Sequence, residues 1–413
     1  MAILATENLS KVFGPRPEAA LEYMRKGGDK LTAQKRFGNA VGVFDVSLEI
    51  REGETFVLMG LSGSGKSTLL RLLNRLHEPT AGKVLVGGTD ITELNRRELM
   101  EVRRRMFSGM VFQNFAILPQ RSVLDNVSFG LELQKVDRNK RYERAQHAIE
   151  LVGLSGWENS IPAQLSGGMQ QRVGLARALA VDAPILLMDE AFSALDPLIR
   201  REMQDELLEI QGQMNKTIVF VTHDLDEALK LGDRIAIMRD AEVVQTGTAE
   251  QIVARPADDY VRAFVEGVDR SEVLTASGIM QRPLATAMVR DGPRTVLRKL
   301  RRYGLSGIFV TDRERRLQGY LSSESVVEHV RSDGEAEQIR PEDFEEPLVV
   351  QADTPLSEII DLASQVSKPI AVTDGEGRLR GVIVKGAILA ALAGNNGPAE
   401  ATPPAELPGE GAA

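Results

Sequence analysis

The stretch Thr55-Phe56-Val57-Leu58-Met59-Gly60-Leu61-Ser62-Gly63-Ser64-Gly65-Lys66-Ser67-Thr68-Leu69-Leu70 decides the fold. Its first five residues form a short apolar run, which reads as a buried strand. The next eight, residues 60–67, fit the pattern G-x-x-x-x-G-K-[ST]. Residues 67–77 then place Leu69, Leu70, Leu72, Leu73 and Leu76 at helical spacing. Strand, glycine loop and helix in that order are the context a phosphate loop requires. The glycines let successive N–H groups turn inward around phosphate oxygens, and the helix adds its positive N-terminal end. Lys66 is expected to neutralise the β- and γ-phosphates, and the Ser67 hydroxyl to ligate Mg²⁺.

Outward from this loop, 185–189 and 217–221 read as further buried strands, rich in Ile, Leu and Val. Their alternation with helical segments predicts an α/β fold with a largely parallel sheet. Residues 115–165 carry mostly helix signals and are expected to form a helical subdomain. The strand at 185 ends in Asp189-Glu190, so two carboxylates emerge beside the phosphate loop. Asp189 can hold Mg²⁺ through water, and Glu190 is placed to polarise an attacking water. Leu165-Ser166-Gly167-Gly168-Met169-Gln170-Gln171 precedes another helical run, and small residues at a helix start again make an anion site.

Composition narrows the class. The 413 residues suggest two or three domains. They are 43% hydrophobic and 26% charged, and no apolar run approaches the ~18 residues of a spanning helix. The opening residues 1–7 lack the basic and apolar regions of a signal peptide. A cytoplasmic chain is therefore expected, linked to a membrane only through a partner. There is no cysteine, which excludes disulfides, thiolate catalysis and zinc–sulfur sites. Four scattered histidines make a histidine-built metal site unpromising, and a net charge of −9 argues against nucleic acid as a partner.

Two segments stand apart. Residues 15–40 carry Arg16, Arg25, Lys26, Lys30, Lys35 and Arg36 and interrupt what would otherwise be a short hairpin connection. A helix is predicted over 18–25, read either as a solvated surface helix or as a contact with a partner or lipid headgroups. Residues 275–396 contain an internal repeat. Ile308-Phe309-Val310-Thr311-Asp312 matches Ile370-Ala371-Val372-Thr373-Asp374, and Arg316-Leu317-Gln318-Gly319 matches Arg378-Leu379-Arg380-Gly381, both at an offset of 62. The stretch 397–413 has little apolar content and is expected to be disordered.

The order of motifs resembles the ATPase subunit of an ABC transporter: residues 60–67, Gln113 after Val111-Phe112, the Ser166-Gly167-Gly168 segment, Asp189-Glu190, then Thr222-His223-Asp224. The run Asp189-Glu190-Ala191-Phe192-Ser193-Ala194-Leu195-Asp196-Pro197, the early insertion and the C-terminal repeat narrow this further. They look like the ATPase subunit of glycine betaine/L-proline (quaternary amine) uptake systems used in osmoprotection, with a C-terminal tandem of CBS modules. The resemblance implies an ABC ATPase domain over 1–270 and CBS modules over 275–332 and 343–396. It also implies a homodimer sandwiching two ATP molecules, each between one phosphate loop and the other subunit's Ser166, Gly167, Gly168, Gln170 and Asp196. In cis, Gly60, Ser62, Gly63, Ser64, Gly65, Lys66, Ser67 and Thr68 would bind ATP, with Gln113, Asp189 and His223 completing the site. Catalysis would rest on Glu190, His223, Gln113 and Lys66, and Mg²⁺ on Ser67, Gln113 and Asp189. Phe13 stands where the family stacks an aromatic on adenine; Phe37 is the alternative, or both pack in the core.

The implied partners are an integral membrane permease and an external substrate-binding protein or domain. The chain would sit peripherally on the cytoplasmic face of the cell membrane. Alternative readings are an ABC importer for another small solute or a CBS-regulated soluble ABC ATPase. ABC proteins of DNA repair or translation usually carry two fused cassettes or a long coiled coil, and this chain has neither. The repeat itself lacks the Asp of the ribose-binding pattern Gly-x-x-Ser/Thr-x-x-Asp after both Gly319 and Gly381. Ordinary mononucleotides thus fit poorly, leaving a cyclic dinucleotide, anionic lipid or a dimerisation pad. Residues 281–316 hold ten Lys/Arg against three Asp/Glu, and residues 331–347 hold two against seven. Such segregated charge suits contacts that weaken as ions concentrate.

Overall fold

The computed structural model describes residues 2–113, 116–333, 338–366 and 368–394. The tail at 397–413 lies outside the described residues, as does part of the acidic stretch 331–347. The chain divides into two compact units, Met1–Ile252 with Pro256–Glu266, and the remainder from Gly267 onward with Val253–Arg255. No described helix is long and apolar enough to cross a membrane.

In chain order the first unit opens with β1 (Ala2–Phe13), α1 (Pro17–Arg25), α2 (Lys30–Phe37) and β2 (Ala40–Arg51). Then come β3 (Thr55–Met59), α3 (Lys66–Leu73), β4 (Ala81–Val86), β5 (Thr89–Asp90), α4 (Arg96–Met106) and β6 (Phe107–Phe112). The helices α5 (Val123–Leu133), α6 (Arg138–Leu151) and α7 (Gly167–Leu179) follow. The unit continues through β7 (Ile185–Asp189), α8 (Pro197–Met214), β8 (Thr217–Thr222), α9 (Leu225–Leu231), β9 (Arg234–Arg239) and β10 (Glu242–Gly247).

Two sheets result. One is antiparallel, in the order β2-β1-β4-β5. The other runs β10-β9-β3-β8-β7-β6, parallel except for the β9–β10 hairpin at its edge. Every residue of β3, β7 and β8 is buried, as expected of central parallel strands covered on both faces. α3 joins one core with residues of both sheets: Leu69, Leu70, Leu72 and Leu73 pack with Leu4, Leu9, Val43, Leu58 and Val221. Each such leucine contributes about 1.5–3 kcal/mol by leaving water.

α3 is shorter than its apolar pattern predicts. It ends at Leu73, and Leu76 is exposed. The side chain of Arg103 on α4 donates to the carbonyls of Asn74 (2.8 Å) and Arg75 (2.6 Å), and Arg75 sits at φ 56°. These bonds satisfy carbonyls that a further turn would have used. Leucine spacing carries no sign of that distant arginine.

The insertion is a helix pair rather than one solvated helix. Ala20, Leu21 and Met24 of α1 and Ala33 of α2 are buried against Val12, Val41 and Ala241. Asp29 caps α2 by accepting from Thr32 N, and Gly38 closes it in the left-handed region. α5, α6 and α7 form a helical layer, with the Arg172 guanidinium of α7 donating to Val152 O at 2.7 Å just past the end of α6.

The second unit holds two three-stranded sheets of one topology. In each, a short strand pairs parallel with the first arm of a hairpin: Ala287–Met288 with Gly307–Thr311 and Leu317–Ser322, and Val349–Gln351 with Ile370–Thr373 and Leu379–Ile383. Both hairpins shift register at the same point, Val310/Thr311 and Val372/Thr373. The halves clasp reciprocally: Leu317 N donates to Gly377 O (3.0 Å) and Leu379 N to Arg315 O (2.9 Å). The exchange extends outward, since Tyr320 pairs with Glu345 and its counterpart Val382 with Gln281. The two matched glycines explain themselves here. A Cβ on Gly319 would lie 2.5 Å from Phe344 Cβ, and one on Gly381 2.6 Å from Met280 Sδ.

Candidate nucleotide site

Four of the sequence motifs lie at the ends of four adjacent parallel strands. β3 ends at Met59 and enters the glycine loop, β8 ends before His223, β7 ends at Asp189-Glu190, and β6 ends before Gln113. In a sheet of this kind, ligands bind outside the carboxyl ends of the strands. The order β3-β8-β7-β6 therefore gathers residues that stand more than a hundred positions apart.

The loop needs its glycines at two places above all. Gly60 (φ 149°) and Gly65 (φ 111°) lie outside the region open to L side chains, and a Cβ on either would sit 2.3 Å from a backbone oxygen, Met238 O and Gly42 O respectively. Gly63 also takes a positive φ, with open space around it. Among the described residues none accepts a hydrogen bond from the N–H groups of Gly63, Gly65, Lys66 or Ser67. Unpaired donors at a helix start match an anion. Ser62 is exposed, whereas Ser64 is buried with its Oγ unpaired. The Lys66 ammonium folds back onto Gly60 O (2.8 Å) and Leu61 O (3.1 Å). Burial pulls its pKa below the usual lysine range, and the carboxylates of Glu190 and Asp189 push it back up.

Ser67 Oγ donates to Asp189 Oδ1 at 2.7 Å. Ser67, Asp189, Glu190 and Gln113 line one cavity of about 370 Å³ together with Arg71, Phe112 and Ala116. Hydroxyl, carboxylate and amide oxygens are the hard donors that suit Mg²⁺, which ordinarily takes only a few protein ligands beside phosphate and water. Among the described residues no group of three His, Asp or Glu could hold a metal by itself. Glu190 stands at φ 49°, with its N–H on Val221 O (3.0 Å) and its carbonyl accepting from Ser193 Oγ (2.9 Å). A left-handed glutamate costs roughly 1–2 kcal/mol, and bonds on both sides hold it there. His223 Nδ1 lies 3.4 Å from Glu190 Oε2. The following turn is pinned by Thr222 Oγ1, which donates to the buried Glu227 carboxylate and accepts from Asp224 N.

Phe13, not Phe37, neighbours the loop. Phe13 and Thr68 flank Gly42, whose Cβ would lie 2.9 Å from one and 3.0 Å from the other. Phe13 is partly exposed, edge-on to His77 with ring centroids 5.4 Å apart. Phe37 packs on Tyr23 inside the insertion, between Arg16 and Arg36.

Ser166, Gly167 and Gly168 are not part of the cavity lining. They open α7, where Ser166 Oγ accepts from Met169 N, and Ser166 and Gly167 are exposed. The Gln170 amide turns back into its own loop, donating to Pro162 O and Leu165 O. Asp196 is exposed and caps α8 through Ile199 N. Arg71 was not legible from the motif. It reaches Asp189 Oδ2 at 3.2 Å and lines the cavity. The available signal was its place four residues after Ser67, on the same helical face.

The ABC transporter family model matches residues 43–193, and the CBS domain model matches 276–332 and 342–394. The chain is 50% identical to the glycine betaine/carnitine transport ATP-binding protein GbuA of Listeria monocytogenes, over 96% of this chain and 98% of that protein. It is 48% identical to the glycine betaine/proline betaine transport system ATP-binding protein ProV of Escherichia coli, over 95% and 98%. The trimethylamine N-oxide transport system ATP-binding protein TmoW of Ruegeria pomeroyi is 51% identical but covers 68% of this chain. Among solved structures, the dimeric ABC transporter cassette MJ0796 aligns with a TM-score of 0.50 at 32% identity, over 59% of this chain and 98% of its own.

Proposed function

The chain belongs to the ABC transporter family of ATP-binding proteins, and from that premise we propose that it hydrolyses ATP to power uptake of glycine betaine, proline or a related quaternary amine. The observation that carries the ATPase reading is the meeting of β3, β8, β7 and β6, with Ser67 2.7 Å from Asp189 and His223 3.4 Å from Glu190. Relatives named for glycine betaine match over nearly the whole chain, second unit included, and they support the substrate class.

The unpaired N–H groups at the start of α3 receive phosphate oxygens, and Lys66 leaves the loop carbonyls to meet the β- and γ-phosphates. Ser67, Asp189 and Gln113 would hold Mg²⁺, which when bound neutralises phosphate charge. Glu190 accepts the proton of the attacking water, and His223, whose Nδ1 lies 3.4 Å from Glu190 Oε2, orients that water toward the γ-phosphate. Phe13 stacks on adenine. Ser166, Gly167, Gly168, Gln170 and Asp196 act on the ATP of a second copy, so hydrolysis requires a homodimer. Closing and opening of that dimer drives a membrane permease that takes substrate from an external binding protein or domain. The chain then works peripherally at the cytoplasmic face of the cell membrane.

The second unit regulates this cycle. Arg294, Arg298, Arg301 and Arg302 border one cavity of about 690 Å³ on the helix Pro293–Tyr303, which supports an anionic contact (lipid, cyclic dinucleotide or acidic segment) sensitive to ionic strength. The deciding experiment is uptake of labelled glycine betaine at low and high osmolarity, in cells with this chain, without it, and with Glu190→Gln. Uptake that needs both the chain and Glu190 is expected. Uptake indifferent to deletion in a strain lacking other betaine systems would remove the substrate assignment.

A further inference from the structure

The phosphate loop is gripped from outside its binding face, at two successive carbonyls. The Ser64 carbonyl accepts from Ala241 N at 3.0 Å. The Gly63 carbonyl accepts from the Lys30 ammonium at 2.8 Å. Lys30 is the first residue of α2, in the insertion between β1 and β2. Ala241 lies in the β9–β10 turn, fully buried at φ 77°, and is packed against the same insertion in a cluster with Ala20, Leu21, Met24 and Ala33. Its own carbonyl accepts from Phe44 N at 2.8 Å. One packed body thus holds both grips.

Lys30 has acidic alternatives close by. It lines a cavity of about 350 Å³ with Asp29, Asp240 and Glu242, yet its hydrogen bond goes to the loop. A bond from an ammonium to this carbonyl fixes the Gly63–Ser64 peptide plane, whose N–H is held in turn by Leu61 O at 3.2 Å, and so fixes the turn that carries the unpaired N–H groups of Gly63 and Gly65 on either side of it. It also leaves a positive charge beside the site.

We infer that Lys30 is a positioning residue for ATP: it ties the Gly63 carbonyl to the inserted helices, so that nucleotide affinity depends on how the insertion is seated. This rests on the ATPase reading above and adds a role for a segment that carries none of the nucleotide motifs.

The test uses the full chain, with ATP dissociation constants and steady-state hydrolysis measured side by side. Lys30→Ala is expected to raise the ATP dissociation constant and KM about five-fold while kcat stays within about two-fold, the signature of lost binding rather than lost chemistry. Lys30→Arg should restore most of the affinity, and Lys35→Ala, an exposed cation on the same helix, should change neither constant. Affinity unchanged in Lys30→Ala would overturn the inference while leaving the ATPase reading intact. So would a joint fall in kcat and affinity that Lys30→Arg fails to rescue, because that is general loosening of the fold. Failure of the wild-type chain to bind ATP would overturn the reading on which the inference rests.

Discussion

Gly319 and Gly381 occupy matched places in the two hairpins, yet substitution there should have unequal effects. Each glycine lets a segment from elsewhere in the unit cross its hairpin. An alanine at 319 would put its Cβ 2.5 Å from Phe344 Cβ, with Phe344 Cγ at 3.0 Å. Ordinary contact needs about 3.5 Å, so something must move by roughly 1 Å. Phe344 cannot yield easily. Its Cβ rides on backbone held by the Tyr320–Glu345 pair of hydrogen bonds (3.0 and 2.9 Å), and its N–H is bonded to Pro341 O. At Gly381 the nearest atoms are Met280 Sδ (2.6 Å) and Cγ (2.8 Å), which an unbranched side chain can swing away, leaving Met280 Cβ at 2.9 Å. Overpacking costs about 1–3 kcal/mol, and we place Gly319→Ala near the middle of that range and Gly381→Ala near the bottom. Hydrogen exchange at the Leu317 and Leu379 amides, which cross between the hairpins, reads the difference. A loss of ~2 kcal/mol should lower protection about thirty-fold in Gly319→Ala, against about five-fold for ~1 kcal/mol in Gly381→Ala. Equal losses, or a larger one in Gly381→Ala, would refute the argument that backbone-anchored and side-chain obstacles differ.

Three further outcomes are expected. Glu190→Gln should keep ATP binding and lower hydrolysis by about two orders of magnitude or more, checked by phosphate release beside nucleotide titration. Arg71 competes for the Asp189 carboxylate at 3.2 Å, so Arg71→Met should lower the Mg²⁺ concentration for half-maximal ATPase about two- to three-fold. Glu206 has its pKa raised from 4.5 to about 7 because burial disfavours its charge, against the opposing Arg172 guanidinium at 2.7 Å. Folded protein then holds this proton more tightly than the unfolded chain. Its contribution to stability is fully present below about pH 4.5 and is lost as pH rises through about 7. Glu206→Gln removes that loss, so the variant's melting temperature relative to wild type should rise between about pH 5.5 and pH 8.

Much of the site was legible because each motif is local. A glycine loop between an apolar run and a helical leucine pattern, or two carboxylates ending a strand, draws its meaning from neighbours a few positions away. The phosphate loop, Asp189-Glu190, the helix start after Ser166-Gly167-Gly168 and the 62-residue repeat all belong to this kind. So do the main exclusions, from the missing cysteines to the absence of long apolar runs. Backbone dihedrals, capping and periodicity act over one or two turns, and a sequence displays them openly.

What the tertiary structure alone decided are the encounters between distant segments. Sheet order places Gln113 and His223 at the same strand ends as Lys66. Arg103 stops α3 before its leucine pattern ends, and Arg71 finds Asp189 across 118 positions. Phe13 lies by the loop while Phe37 is taken up by the insertion, and Lys30 reaches Gly63 from a helix that no motif marks. Such contacts depend on how buried faces pack, and packing sums many small non-directional terms over the whole core. Residue spacing along the chain does not encode that sum, and so the partners of these side chains became visible only once the sheets had closed around α3.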